Sequence, residues 1–144
     1  MSEKNVNHIK WMKRAIHLAS LGDGKTSPNP MVGAVILDKN GNIISEGFHF
    51  KAGMPHAEAM AFNNLKKDAT GGSMYVNLEP CCHQGKTPPC VDKIISSGLR
   101  KVYISIQDPD KRVSGKGIKI LKEAGIQVHL GLCKKESLEL NKAF

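Results

Sequence analysis

The chain has 144 residues, which is the size of one typical domain and is long enough to bury a hydrophobic core without disulfide support. Its apolar content of 40% and charged content of 24% are typical of soluble globular proteins, and no apolar run approaches the roughly 20 residues that a membrane helix needs. The formal charge of +8 suits an anionic partner, although the basic residues are scattered and form no block longer than a pair.

The N-terminal segment MSEKNVNHIKWMKR is polar and contains no apolar stretch of the kind found in secretory signals. We therefore expect a cytoplasmic protein whose four cysteines are reduced thiols, because disulfides rarely persist in the cytosol. Three of these cysteines lie close together in the segment EPCCHQGKTPPC, residues 79–90. Clustered cysteines in such a protein favour metal binding or catalysis.

The first half of the chain predicts a helix and then a hairpin. Residues 7–21 carry apolar side chains at helical spacing, and the segment GDGKTSPNP ends that pattern with glycines and prolines. MVGAVILD and NIISEGFHF are apolar and rich in β-branched residues, and the Asn40-Gly41 pair between them favours a tight turn. Two antiparallel strands are therefore predicted.

From residue 55 onward, helical and strand patterns alternate. Helices are predicted in HAEAMAFNNLKK, PPCVDKIISSG and GKGIKILKEAG, and strands in GGSMYVNL, RKVYISIQD and IQVHLGL. Right-handed crossovers place such strands parallel in one sheet with helices on both faces. We expect residues 1–144 to form one α/β domain, a three-layer α/β/α sandwich with a five-stranded mixed sheet. The segment KKESLELNKAF is either a closing helix or the entry to something beyond the chain.

Two segments, PHAEA at 55–59 and EPCCHQGKTPPC, combine metal ligands with an acid. Each would open a helix, where free N–H groups and the helix dipole favour thiolates and carboxylates. A His and a Cys that open different helices can converge on one Zn²⁺ ion. Three protein ligands would leave the fourth position to water, as in catalytic sites, whereas four would close a structural site. Glu58, two residues after His56, is placed to act as general base and then general acid.

The order His-x-Glu, Pro-Cys and a second helix-opening Cys resembles the zinc-dependent cytidine deaminase superfamily. The usual form has two residues between its cysteines, whereas eight separate Cys81 from Cys90. This longer insert resembles the diaminohydroxyphosphoribosylaminopyrimidine deaminase family, which forms the deaminase half of the bifunctional riboflavin-biosynthesis protein. The resemblance runs from about residue 10 to the end and includes SPNPMVGAVI, GFHFKAGMPHAEA, VNLEPC, IQDPD, GKGI and LNKAF.

The resemblance implies that His56, Cys81 and Cys90 bind Zn²⁺ and that Glu58 is the catalytic proton shuttle. Cys82 and His83 are then not ligands. Substrate contacts are implied for Asn29, His49, Lys86, Asp108 and Ser114, with the loop from 108 to 114 near the ribose phosphate. The chain departs from the family at Asp110, where the family commonly has Asn. A carboxylate would repel a phosphate, so no contact is assigned to position 110.

The implied reaction is the zinc-dependent hydrolytic deamination of 2,5-diamino-6-(ribosylamino)pyrimidin-4-one 5′-phosphate to the corresponding pyrimidinedione, an early step of riboflavin biosynthesis. The expected partner is therefore a small phosphorylated pyrimidine, and neither a membrane nor a nucleic acid is expected. The family often joins this domain to a C-terminal NADPH-dependent reductase, so the sequence is compatible both with a stand-alone deaminase and with one half of a longer protein, the reductase being fused or a separate partner. The sequence leaves the oligomeric state open and is compatible with a homo-oligomer.

Two other functions compete with this interpretation. A deaminase of tRNA adenosine or of free nucleosides is favoured slightly by the positive charge, and the eight-residue insert argues against it. A non-catalytic zinc module would use Cys82 or His83 as a fourth ligand. Glu58 argues against that module, because a structural site has no use for an acid beside a ligand.

Overall fold

The computed structural model describes residues 3–27, 29–82, 89–111 and 113–142. Five strands and five helices lie within these residues, and the last helix covers most of the KKESLELNKAF segment. In chain order the elements are α1 (Glu3–Ser20), β1 (Gly33–Leu37), β2 (Ile43–Phe48), α2 (Ala57–Asn63), β3 (Ser73–Leu78), α3 (Cys90–Ser96), β4 (Lys101–Ile106), α4 (Lys116–Glu123), β5 (Gln127–Leu130) and α5 (Lys134–Leu140).

The five strands form one mixed sheet in the order β2-β1-β3-β4-β5. β1 is antiparallel to both β2 and β3, and β3, β4 and β5 run parallel to one another. The parallel strands are those that alternate with helices in the sequence. The predicted α/β class and mixed five-stranded sheet are therefore confirmed.

The predicted hairpin joins β1 to β2 and is held by one aspartate. The Asp38 carboxylate accepts hydrogen bonds from the backbone N–H groups of Asn40 and Asn42, at 2.9 and 3.0 Å. These bonds hold the pKa of Asp38 below its usual value. Gly41 has a φ of 86°, a conformation that glycine adopts without steric cost.

Alternate residues of the central strands fill two hydrophobic cores on opposite faces of the sheet. Val35 and Tyr75 pack with Met12 of α1, whereas Ile36 and Val76 face the side covered by α2, α3 and α4. The β-sheet period of two therefore explains the three-layer arrangement. Within the described residues, no helix has the length and apolar character needed to cross a membrane.

Four chain segments meet at one edge of the sheet. β3 and β4 are parallel, so the residues that follow their carboxyl ends, from Glu79 and from Gln107, lie side by side. Helices α2 and α3 begin nearby, at Ala57 and Cys90. In open α/β sheets, ligands bind at the carboxyl ends of the strands.

Candidate active site

A cavity of about 210 Å³ lies at this edge of the sheet. Its wall contains residues from the loop before β1, from the end of β2, from the start of α2 and from the ends of β3 and β4. The cavity brings together six residues predicted from sequence to form the site: Asn29, His49, His56, Glu58, Cys81 and Asp108.

Three metal-ligand side chains converge at the cavity. The Nδ1 atom of His56 lies 3.7 Å from the Sγ of Cys81 and 3.6 Å from the Sγ of Cys90. All three ligand atoms lie within 4.8 Å of one another. His56 immediately precedes α2 and Cys90 is the first residue of α3, so two helix starts deliver ligands to one point, as the sequence predicted.

The donor set fits Zn²⁺. Two cysteine sulfurs and one imidazole nitrogen are the ligand types of zinc sites. Tetrahedral zinc, with bonds of about 2.3 Å to sulfur and about 2.0–2.1 Å to nitrogen, holds those atoms roughly 3.6 Å apart. The observed nitrogen–sulfur distances of 3.6 and 3.7 Å match this spacing. Among the described residues, the converging group has three members and does not include Cys82.

The two cysteines of the metal-ligand group have unequal proton affinities. A hydrogen bond from the Cys90 thiol lowers the pKa of Cys81 and raises that of Cys90. The backbone N–H of Cys90 also donates to the Cys81 sulfur, at 3.3 Å. The hydrogen bond with Cys81 raises the pKa of His56.

Glu58 is a buried acid in the cavity wall. Its side chain is 3% exposed, and the residue lies in the first turn of α2. Burial raises the pKa of Glu58 to about 7, and this effect outweighs the hydrogen bond from the residue's own backbone N–H. A carboxyl group with a pKa near neutrality can both accept and donate a proton, as a general base and acid must.

Asn29 and His49 form a hydrogen-bonded pair beside the metal-ligand group. The His49 Nδ1 lies 3.2 Å from the carbonyl oxygen of Pro55, which can only accept, so Nδ1 carries the proton. The His49 Nε2 is then an acceptor, and the Asn29 side-chain N–H group donates to it at 3.3 Å. The His49 ring also meets that of His56 edge-on, with centroids 5.7 Å apart.

Glu79 organises the side of the cavity that contains Asp108. The Glu79 carboxylate is 5% exposed and accepts hydrogen bonds from the backbone N–H groups of Asp108, Gly115 and Ile118, at 3.0–3.2 Å. It therefore joins the end of β3 to the 108–115 loop and to the start of α4. This role of Glu79 was not predicted from the sequence, although an acid directly after an apolar strand is a visible signal.

Gly117 explains part of the GKGI motif. A Cβ atom at this position would lie 2.4 Å from the carbonyl oxygen of Pro80 and 3.3 Å from a Glu79 carboxylate oxygen. Real Cβ atoms do not approach backbone oxygens so closely. Glycine therefore allows α4 to pack against the segment that carries Glu79 and Cys81.

The other residues from the sequence analysis that the structure describes do not line this cavity. Ser114 lies in a neighbouring hollow that shares Asp108 with the cavity. Lys86 and His83 lie outside the described residues. Cys82 is half-buried and packs against the core under α2, α3 and α4, and burial raises its pKa. The Asp110 backbone N–H donates to the Asp108 carboxylate at 2.9 Å, which fixes the local turn.

Comparison with known proteins identifies the domain. Residues 5–106 match the family model of the cytidine and deoxycytidylate deaminase zinc-binding region. The chain is 52% identical over 134 residues to the diaminohydroxyphosphoribosylamino-pyrimidine deaminase of Buchnera aphidicola subsp. Schizaphis graminum, a match that covers 93% of this chain and 90% of the relative. The family description, together with the His-Cys-Cys donor set, confirms the predicted Zn²⁺ cofactor.

Other relatives are much longer than this chain. It is 49% identical to the riboflavin biosynthesis protein RibD of Aquifex aeolicus, and the match covers 93% of this chain but 37% of that protein. The crystal structure of a diaminohydroxyphosphoribosylaminopyrimidine deaminase/5-amino-6-(5-phosphoribosylamino)uracil reductase from Thermotoga maritima superposes with a TM-score of 0.92 at 45% identity, covering 97% of this chain and 40% of that one. The chain therefore belongs to the cytidine and deoxycytidylate deaminase zinc-binding family and, within it, to the diaminohydroxyphosphoribosylaminopyrimidine deaminases.

Proposed function

We propose that this chain deaminates 2,5-diamino-6-(ribosylamino)pyrimidin-4-one 5′-phosphate to 5-amino-6-(ribosylamino)pyrimidine-2,4-dione 5′-phosphate and ammonia. The observation that carries the proposal is the buried carboxylate of Glu58 beside His56 and Cys81 in one cavity wall. This geometry supports a hydrolytic reaction with proton transfer. The substrate is inferred from the name of the deaminase relative that is 52% identical to this chain over 134 residues.

His56, Cys81 and Cys90 are the proposed zinc ligands. His56 would bind through Nδ1, the atom nearest both sulfurs. When bound, Zn²⁺ supplies Lewis-acid activation of the attacking water. Both thiols must lose their protons for this ligand set to form.

Glu58 is the proposed proton shuttle. It takes a proton from the attacking water as the water oxygen bonds to C2 of the pyrimidine ring, and it delivers a proton to the adjacent ring nitrogen. Glu58 then passes the second water-derived proton to the amino group. The bond between C2 and that group breaks, ammonia leaves, and the water oxygen remains as the new carbonyl.

Asn29, His49 and Asp108 are the proposed substrate contacts inside the cavity. The Asn29 amide offers both a donor and an acceptor, which suits the polar edge of a pyrimidine. His49 is held in one tautomer by Pro55 and fixes the orientation of Asn29. Ser114 lies beyond Asp108, and we assign it, together with Lys86, to the ribose-phosphate end of the substrate.

Lys86 provides the test of the substrate class. If Lys86 pairs with the single 5′-phosphate, Lys86→Ala is expected to lower kcat/KM. The loss of transition-state stabilisation calculated from the ratio of the two kcat/KM values should be about 1.5–3 kcal/mol, the range of hydrogen bonds to charged groups. This loss should nearly vanish on the dephosphorylated substrate. Steady-state rates of wild type and variant on both substrates form a double-mutant cycle in which one partner is on the ligand.

The control for this cycle is Lys122→Ala, which removes an exposed lysine from the last turn of α4. Its rates should match wild type on both substrates. Equal losses for Lys86→Ala with and without the phosphate would show that Lys86 does not bind it. A nucleic-acid substrate would instead distribute binding over many phosphates, and affinity would fall steeply with salt.

We also propose that residues 1–144 act as one deaminase domain whose product is passed to a reductase. The supporting observation is that the Thermotoga maritima relative is described as both a deaminase and a reductase and is longer than this chain. Cytoplasmic location remains a prediction from sequence.

A further inference from the structure

Two buried asparagines from distant parts of the chain hold the backbone of Met31. The Asn141 side chain accepts from the Met31 N–H at 2.8 Å and donates to the Met31 carbonyl oxygen at 2.9 Å. The Asn77 side chain donates to the same carbonyl oxygen at 3.0 Å and accepts from the Gly33 N–H at 2.8 Å. Asn77 is 0% exposed and Asn141 is 9% exposed. We call these four hydrogen bonds the Met31 clamp.

Three of the four clamp bonds hold Met31, whose backbone lies outside the β1–β2 and β1–β3 pairings. β1 begins at Gly33, so residues 29–32 form a loop before the sheet. The donors and acceptors of the two amide groups match the Met31 N–H and carbonyl without ambiguity, because an N–H donates and a carbonyl accepts. The clamp therefore replaces the ladder of hydrogen bonds that would otherwise fix this segment.

The clamped loop forms part of the wall of the cavity. Asn29, Pro30 and Val32 line it, and Met31 lies between two of them in sequence. The Val32 carbonyl accepts from the His49 backbone N–H at 2.9 Å, so the loop also fixes the strand end that carries His49. Neither Asn77 nor Asn141 lines the cavity.

We propose that Asn141, together with Asn77, is a positioning residue for substrate recognition: through Met31 it sets the place of Asn29 and His49. The kinetic side of this inference rests on the proposed deaminase function. Asn141 caps the C-terminal end of α5 and is not a member of the metal-ligand group. The clamp therefore affects substrate binding and leaves zinc binding unchanged.

The test compares Asn141→Ala with a matched control in the same C-terminal segment. The control is Ser137→Ala, which removes a hydrogen bond of 2.6 Å between the buried hydroxyls of Ser137 and Ser105 and none of the four bonds of the Met31 clamp. Asn141→Ala removes two buried side-chain hydrogen bonds at the C-cap of α5, and Ser137→Ala removes one within α5. Asn141→Asp is the second variant, since it keeps the acceptor for the Met31 N–H and removes the donor to the Met31 carbonyl.

Asn141→Ala is expected to lower kcat/KM by about 10- to 100-fold, mainly through KM, with the zinc content unchanged. Ser137→Ala should leave KM near the wild-type value at a similar loss of thermal stability. Hydrogen exchange of the Met31 backbone N–H, followed by NMR, should accelerate in Asn141→Ala, remain slow in Ser137→Ala and be intermediate in Asn141→Asp.

Equal KM values in Asn141→Ala and Ser137→Ala, or unchanged exchange at Met31 in Asn141→Ala, would overturn the inference. If Asn141→Ala does not fold, the same comparison between Asn141→Asp and Ser137→Ala decides it. Hydrogen exchange needs no substrate. A wild-type protein without deaminase activity would therefore contradict the proposed function, and the Met31 exchange rates would still decide whether the clamp exists.

Discussion

Replacement of Glu58 with Gln is expected to lower kcat by at least about 10²–10⁴-fold, the loss typical of a removed general acid/base. Gln has nearly the same size and can occupy the same buried position in the first turn of α2, but it cannot carry a proton between water and substrate. Fold and zinc content should therefore remain those of the wild type. Ammonia release, thermal unfolding and metal analysis measure the three quantities.

Glu123→Gln is the matched control for this substitution. Glu123 lies at the end of α4 with a side chain that is 66% exposed, so the same chemical change should leave kcat unaltered. Near-normal turnover in Glu58→Gln would remove Glu58 from the mechanism and favour the alternative of a structural zinc module.

Cys81→Ser and Cys90→Ser are each expected to lose most of the bound zinc, whereas Cys82→Ser should retain it. The wild type should contain about one zinc ion per chain, because the described residues form one group of three ligand atoms. A serine hydroxyl is a much poorer zinc ligand than a thiolate, since zinc favours deprotonated sulfur. Metal analysis of the purified proteins gives the stoichiometry.

Cys82 is a useful control because it is adjacent to Cys81 in sequence but packs against the hydrophobic core. Its replacement tests whether zinc loss follows from ligand removal or from local disturbance of the loop. Zinc loss in Cys82→Ser as complete as in Cys81→Ser would show that the ligand assignment is wrong.

The fold was predictable where the signal was local. Asn40-Gly41 marks the hairpin, and the continuous apolar run of β1 indicates a strand that is buried on both faces of the sheet. The signal for each metal ligand was also local, because His56 and Cys90 each lie at a helix start that the sequence pattern indicates. Each of these features depends on a few neighbouring residues, which sequence periodicity and turn chemistry report directly.

The groups that hold the cavity wall were not predictable in this way. Asn141 contacts a backbone unit 110 residues earlier, and the Glu79 carboxylate caps a helix that starts 37 positions later. A buried polar residue in an apolar segment signals that it needs a partner, but the sequence does not say which backbone groups will provide it. Only the three-dimensional packing of α5 and α4 supplies those partners.

Ammonia release from three substrates at equal concentration tests the proposed activity most directly. The substrates are 2,5-diamino-6-(ribosylamino)pyrimidin-4-one 5′-phosphate, cytidine and a tRNA anticodon stem-loop. We expect the purified zinc-loaded protein to act on the first with a kcat/KM at least about 10²-fold above those for the other two, because a site built to hydrogen-bond polar substrate groups rejects analogues that lack them. A higher kcat/KM for cytidine or for the stem-loop would contradict the proposed function.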